Sequence, residues 1–293
     1  CSKLKQLTIN PYKTHFEDNT FLFCTSLKCL KFDSSVTTIS KFNYDNYWKL
    51  KEIIIPESVT SIQNGALSNC SLLEKVTIPN SIRYLNSNIF KDCCKTLKII
   101  VLDPYQTICE SNTFNNCKEL KHLIFYSSVN SIHEFDYSKL AKFKKITIPK
   151  SVTSIGPKAF RDNSCLEEIE ISDSVISIDY DAFYGCTKLS EVLIPDSVKS
   201  IGGGIFYQCS SLKKITLPNS VKSIGGGAFS KCTSLANVTI PSSIAFIEND
   251  LFNGCSSIVQ IKIPDSVTSI GAGCFSHCIN LKQIFIPDSV RFI

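Results

Sequence analysis

The sequence predicts a β-rich α/β solenoid of about thirteen 23-residue rungs, made of short parallel strands and single helical or 3₁₀ turns. Three observations predict it. Pro149, Pro195, Pro218, Pro241, Pro264 and Pro287 stand at multiples of 23 residues, and self-similarity at a fixed period marks a repeat architecture. Each repeat opens L-x-x-I-x-I, an alternation that gives a short strand one buried face. Pro and Gly recur at fixed offsets, where they end one extended piece and begin the next.

The clearest unit starts at Leu189. Val192 and Ile194 continue the alternation, and Pro195 ends the strand because it has no amide hydrogen for a ladder. Val198-Lys199-Ser200-Ile201-Gly202 is a second short extended piece, with Gly allowing the bend that follows. Ile205-Phe206-Tyr207-Gln208-Cys209 is too short for an independent helix, so one helical or 3₁₀ turn is expected. The strand-ending position runs Asn10, Asp33, Pro56, Pro79, Asp103, Tyr126, Pro149, Ser172, Pro195, Pro218, Pro241, Pro264, Pro287. Every interval is 23 except Pro79 to Asp103, which is 24, and the extra residue falls beside Cys93-Cys94. Units of this kind touch only their neighbours, so residues 1–293 are expected to form a single array. The chain opens in mid-repeat and has no Met, which reads as a piece of a longer protein.

The motif L-x-x-I-x-I-P-x-S-V-T-S-I-G-x-x-A-F-x-x-C resembles the BspA-like, or Treponema-type, leucine-rich repeat. The stretch from Ile263 to Leu281, IPDSVTSIGAGCFSHCINL, matches it almost throughout. The resemblance covers the whole chain, with departures concentrated before residue 145, where Asp33, Asp103 and Tyr126 replace Pro. It implies a curved, right-handed parallel leucine-rich-repeat horseshoe. It also implies a surface or secreted protein of an anaerobic bacterium or protist that adheres to host proteins or other microbes. A cytoplasmic leucine-rich-repeat scaffold or regulatory subunit is the alternative.

Composition narrows the field. A 43% hydrophobic content excludes general disorder. A net charge of +5 is too small and diffuse to predict nucleic-acid or membrane binding. No apolar run approaches the 18 or so residues of a membrane span, so no direct insertion is expected from this segment.

Fifteen cysteines suggest disulfides or metal, but their position in the repeat points elsewhere. Cys1, Cys24, Cys70, Cys93, Cys117, Cys186, Cys209, Cys232, Cys255 and Cys278 share one site, which in three other rungs holds Tyr47, Leu140 and Asn163. A site that accepts Tyr and Leu is a packing site, where Cys acts as a small hydrophobe. The off-register Cys29, Cys94, Cys109, Cys165 and Cys274 are the better candidates for disulfides. The absence of C-x-x-C and the wide separation of His15, His122, His133 and His277 speak against structural zinc.

No catalytic constellation emerges, and neither a cofactor nor a small-molecule substrate is expected. Gly202-Gly203-Gly204 and Gly225-Gly226-Gly227 lack the phosphate-loop pattern and sit in the repeat's bend. Glu167, Glu168 and Glu170 fall on outward positions of a strand, where glutamate is ordinary. Asn69-Cys70-Ser71 and Asn237-Val238-Thr239 fit the N-glycosylation pattern, whose use requires a secretory route.

What remains is the outward face of the strands, the natural recognition surface of a solenoid. Its charges come in blocks: Lys5, Lys28, Lys31 and Lys51; then Lys98, Lys121, His122, Lys144 and Lys145; then Glu167, Glu168, Glu170 and Glu191; then Lys213 and Lys214. Blocks of both signs suit a protein partner better than a uniform polyanion, although they also serve solubility. Ile99, Val101 and Ile124 cluster at outward sites, whereas Ile54, Leu193 and Phe285 are isolated. The expected binding centre is therefore Lys98 to Lys145, with its apolar residues ringed by lysines and the acidic rung alongside.

Overall fold

The computed structural model describes residues 2–13, 24–40, 50–68, 70–86, 89–90, 95–110, 113–114, 117–134 and 143–293. The expectations that rest on Cys1, His15, Tyr47, Asn69, Cys93, Cys94, the adjacent insertion and Leu140 lie outside the described residues. The chain divides into two compact units, Cys1–Ser128 and Val129–Ile293.

In the first unit the strands Gln6–Ile9, Cys29–Phe32, Glu52–Ile54, Lys75–Thr77, Ile99–Leu102 and His122–Phe125 pair in parallel in sequence order. The register steps once per repeat, so Leu7 faces Leu30, Leu30 faces Ile53, Val76 faces Ile100 and Ile100 faces Leu123. These inward residues are closed to solvent from Leu30 onward, as the alternation requires. Two-residue strands make two separate narrow pairs: Thr38–Ile39 with Ser61–Ile62, and Tyr84–Leu85 with Ile108–Cys109.

In the second unit Lys145–Thr147, Glu168–Glu170, Glu191–Leu193, Lys214–Thr216 and Asn237–Thr239 form the wide parallel ladder. Ser131–Ile132, Ser154–Ile155, Ser177–Ile178, Ser200–Ile201 and Ser223–Ile224 form the narrow one. The unit also carries a column of rings, buried from Phe160 to Phe252 and half-buried at Phe275. Phe160, Phe183, Phe206, Phe229, Phe252 and Phe275 stack at centroid distances of 5.3, 5.4, 5.8, 5.6 and 6.0 Å.

Two expectations about the rungs need correction. The described residues contain no helix and no 3₁₀ turn, so among them the rungs are strand and turn and the α/β label finds no support. The A-F-x-x-C segment does not coil into a continuous helix because alternate amides bond to the next rung, while those between them close single turns within the segment, such as Arg161 N to Lys158 O at 3.1 Å. Lys158 N donates to Tyr180 O at 3.0 Å, Phe160 N to Ala182 O at 2.7 Å and Asp162 N to Tyr184 O at 2.7 Å. Left-handed residues such as Lys158 (φ 54°), Asp162 (φ 57°) and Asp181 (φ 55°) interrupt any helical run. The continuous ladder also falls short of thirteen rungs. Eleven wide strands lie in ladder order, six in the first unit and five in the second, while Gln260–Lys262 and Gln283–Phe285 pair only with each other. The rung before that break is irregular in its narrow strand too. Phe246 stands where its neighbours carry serine, and it pairs forward with Ser269 but not back with Ser223.

Polar side chains staple the rungs. The serine of the P-x-S-V motif donates to a carbonyl one rung back: Ser174 to Val152 O at 2.8 Å, Ser197 to Val175 O at 2.6 Å, Ser266 to Ile244 O at 2.6 Å. The in-register cysteines pack as expected and also donate a weak S–H bond. Cys186, Cys209, Cys232, Cys255 and Cys278 reach the carbonyls of Phe160, Phe183, Phe206, Phe229 and Phe252 at 3.0–3.1 Å. Burial pushes the Cys209 and Cys255 thiols up to about 12, so they are inert at neutral pH. Cys117 departs from this pattern and is disulfide-bonded. The glycine triplets are scaffold. A Cβ on Gly202 would lie 2.2 Å from Tyr180 N, and one on Gly225 would lie 2.3 Å from Gly203 N.

Candidate functional site

The wide strands present three outward positions per rung, and register decides what stands beside what. In the first unit His122 faces Ile99 and Ile124 faces Val101, so the four make one compact, partly buried block on adjacent strands. Lys98 and Lys121 flank it, and both are exposed. Ile54 lies two strands away, one step beyond Thr77, which faces Val101. The sequence-predicted cluster of Ile99, Val101 and Ile124 is therefore a contiguous apolar patch with lysines along one side.

The remaining predicted residues lie in the second unit, where they engage one another. Lys144 Nζ meets Glu167 Oε1 at 2.5 Å, and Lys145 Nζ meets Glu168 Oε1 at 2.8 Å and Glu170 Oε1 at 2.5 Å. The two carboxylates hold the Lys145 ammonium above its ordinary pKa, the Glu168 hydrogen bond contributing most. The basic rung and the acidic rung thus compensate each other across one ladder step. A groove of about 700 Å³ lies on this face, lined by Glu167, Glu168, Glu170, Ser190, Glu191 and Leu193. A second groove of about 810 Å³ is lined by Asn237, Thr239, Val259, Gln260, Lys262 and Phe285, among others. Leu193 is 74% exposed and Phe285 49%, so both isolated apolar sites are open to solvent.

Asp33, Asp103 and Tyr126 stand where other rungs carry Pro. The two aspartates act locally. Asp33 accepts from Ser35 N at 2.9 Å, and Asp103 accepts from Tyr105 N at 2.9 Å and Gln106 N at 3.3 Å. Each carboxylate closes by side-chain bonding the turn that Pro fixes elsewhere. Tyr126 spans further, its hydroxyl donating to Glu57 Oε1 at 2.6 Å, and burial with that bond pushes its pKa up to about 12. The signal that could have identified Asp33 and Asp103 is the Asp-x-[ST/Y] spacing of an Asx turn.

Among the described residues no group of three or more His, Cys, Asp or Glu side chains is placed to hold a metal ion. No helix among them is long and apolar enough to cross a membrane.

The BspA type leucine rich repeat region, described as a block of six copies, matches residues 1–98, 92–213 and 177–293. The chain belongs to that family. Proteins built from this repeat generally bind other proteins, and the fold is typically non-catalytic. Among solved structures the chain is similar to the T. pallidum leucine rich repeat protein, at 30% identity over 55% of this chain and 77% of that one, with a TM-score of 0.51. It is also similar to a leucine-rich repeat protein from Bacteroides ovatus, at 26% identity over 88% of this chain and 87% of that one, with a TM-score of 0.40. Among curated proteins nothing matches.

Proposed function

We propose that this protein is a non-catalytic recognition scaffold whose partner is another protein, and that the first unit's outward sheet face carries the contact. The observation behind this reading is the apolar block of Ile99, Val101, His122 and Ile124, brought together by register and flanked by Lys98 and Lys121. Apolar side chains grouped on an outward sheet face, with charge only at the rim, match the anatomy of a protein contact patch. Lys144, Lys145, Glu167, Glu168 and Glu170 form a self-compensated patch of the second unit and are secondary in this reading.

Adhesion at a cell surface, or as a secreted protein, is the setting we favour. The family supports it, and so does the disulfide at Cys117, because disulfides persist in oxidising compartments and are rare in cytosol. A cytoplasmic scaffold is the alternative, favoured if Cys117 proves reduced in cells.

The test is selection of peptide binders from a displayed random library against the whole protein, followed by Val101→Asp and Ile124→Asp. Selected binders should lose at least tenfold in affinity while circular dichroism and melting temperature stay unchanged. Binders indifferent to both substitutions would remove the face from consideration.

A further inference from the structure

Resting on that reading, the first unit's face also specifies the chemistry of its partner. Its first outward row is Lys5, Lys28, Lys51, Glu74, Lys98 and Lys121. Backbone hydrogen bonds stack these residues directly on one another: Lys28 N to Lys5 O at 3.0 Å, Lys51 N to Lys28 O at 2.8 Å, Glu74 N to Lys51 O at 2.8 Å, Lys98 N to Glu74 O at 2.9 Å and Lys121 N to Lys98 O at 3.2 Å. All five lysines are exposed, and rungs repeat at about 4.8 Å. Like charges directly opposite one another in a ladder are destabilising, so the row costs stability where it stands.

Only part of this charge is answered within the unit. Glu74 holds Lys51 at 2.7 Å and Lys98 at 3.9 Å, Glu52 holds Lys75 at 2.7 Å, and Glu119 holds Lys121 at 3.4 Å. No carboxylate among the described residues lies within ion-pair distance of Lys5, Lys28 or Lys31. Across the outward positions of the six wide strands, seven lysines (5, 28, 31, 51, 75, 98, 121) face two glutamates (52, 74), and with Glu119 beside Lys121 the excess is four positive charges. The third outward row is different. It reads Thr8, Lys31, Ile54, Thr77, Val101 and Ile124, aliphatic at its later end. Three residues of extended chain separate Lys98 from Val101, or about 10 Å, the width of a single peptide segment lying across the strands.

We propose that this face binds an acidic amphipathic segment of a partner protein, with carboxylates along the lysine row and aliphatic side chains on Val101 and Ile124. Charge complementarity selects the sign, and the adjacent aliphatic row distinguishes a protein segment from a bare polyanion. The second unit offers no such rail, because its Lys144–Lys145 rung is matched by Glu167, Glu168 and Glu170.

The experiment is calorimetric titration of the whole protein with three probes. These are a 16-residue helical peptide with a glutamate stripe beside a leucine stripe, the same peptide with lysine for glutamate, and a heparin-derived oligosaccharide. The acidic peptide should bind at least tenfold tighter than the basic one. It should lose at least tenfold in Lys28→Glu/Lys98→Glu and again in Val101→Asp, with both variants keeping the parent melting temperature. Binding of the basic peptide instead, sensitive to Val101→Asp, would overturn the acidic assignment and leave the face as the recognition surface. Peptide binding unmoved by Val101→Asp, or none at all, would overturn both. Tight heparin binding that ignores Val101→Asp would assign the face to polyanions and overturn the proposal.

Discussion

In the second unit the rings of Phe160 to Phe275 stack rung upon rung within 6.0 Å, and the cysteine thiols of five rungs reach back to the phenylalanine carbonyls of the rung before. In the first unit the described stacking of such rings is Phe90 on Phe114 at 5.9 Å, Asp33 and Asp103 do the work of Pro, and Cys117 is held by a disulfide. The outward faces differ in the same way. The second unit answers Lys144 and Lys145 with glutamates one rung on, whereas the first stacks Lys28 on Lys5 and Lys121 on Lys98 beside an aliphatic row. Repetition thus secures the scaffold where the motif is regular. Where the motif is irregular, special side chains hold the backbone, and the outward surface departs from self-compensation.

The largest effect that can test this contrast is removal of a ring from the column. Phe206 is fully buried between Phe183 and Phe229, so Phe206→Ala should cost about 3–5 kcal/mol of the second unit's stability. Urea unfolding followed by hydrogen exchange in peptides from each unit would show which unit opens. Equal loosening of both units would blur the comparison.

Reduction of the Cys117 disulfide comes next. A native disulfide contributes about 2–4 kcal/mol, so reductant should lower exchange protection in the first unit and leave the second unchanged, its described thiols being free already. A loss confined to the second unit would contradict the division.

Asp103→Ala should cost about 1–2 kcal/mol, because it removes the carboxylate that accepts from Tyr105 N and Gln106 N in a buried turn. Asp103→Asn should recover part of the loss if turn closure is the role, since an amide oxygen accepts the same bonds. Thermal melts of the two variants decide it.

The smallest effect is that of the compensated charges. Glu168 and Glu170 raise the Lys145 pKa above 10.5 in the folded state. The stabilisation is therefore complete below the ordinary lysine range and is lost as pH rises through the raised value. The pair is exposed and screened, so Lys145→Ala should change stability by under about 1 kcal/mol at pH 8, and by less above pH 11. Urea midpoints at the two pH values measure the difference.

Much of this fold was legible in the sequence, because one period placed every wide strand and named its inward residues. Leu30, Ile53, Val76, Ile100 and Leu123 are buried as the alternation required, and the glycine triplets are scaffold. The helical turn was misread because A-F-x-x-C carries helix-like spacing, while alternate amides are claimed by the next rung, a long-range term that local pattern cannot show. Lys144 and Lys145 were grouped with the apolar block by sequence proximity, but the ladder sets them against Glu167, Glu168 and Glu170. Cys117 shared its site with packing cysteines, and position alone could not separate a thiol from a disulfide. The apolar block itself was visible, since Ile99, Val101 and Ile124 broke the polar rule at outward positions.

The most direct test of the account compares one outward apolar residue from each unit. Val101→Asp and Leu193→Asp place the same charge on the two sheet faces, and calorimetry with a library-selected peptide reads the consequence on the whole protein. The account predicts at least a tenfold loss for Val101→Asp and less than a twofold change for Leu193→Asp. A tenfold loss for Leu193→Asp with Val101→Asp unaffected would contradict it and move recognition to the second unit.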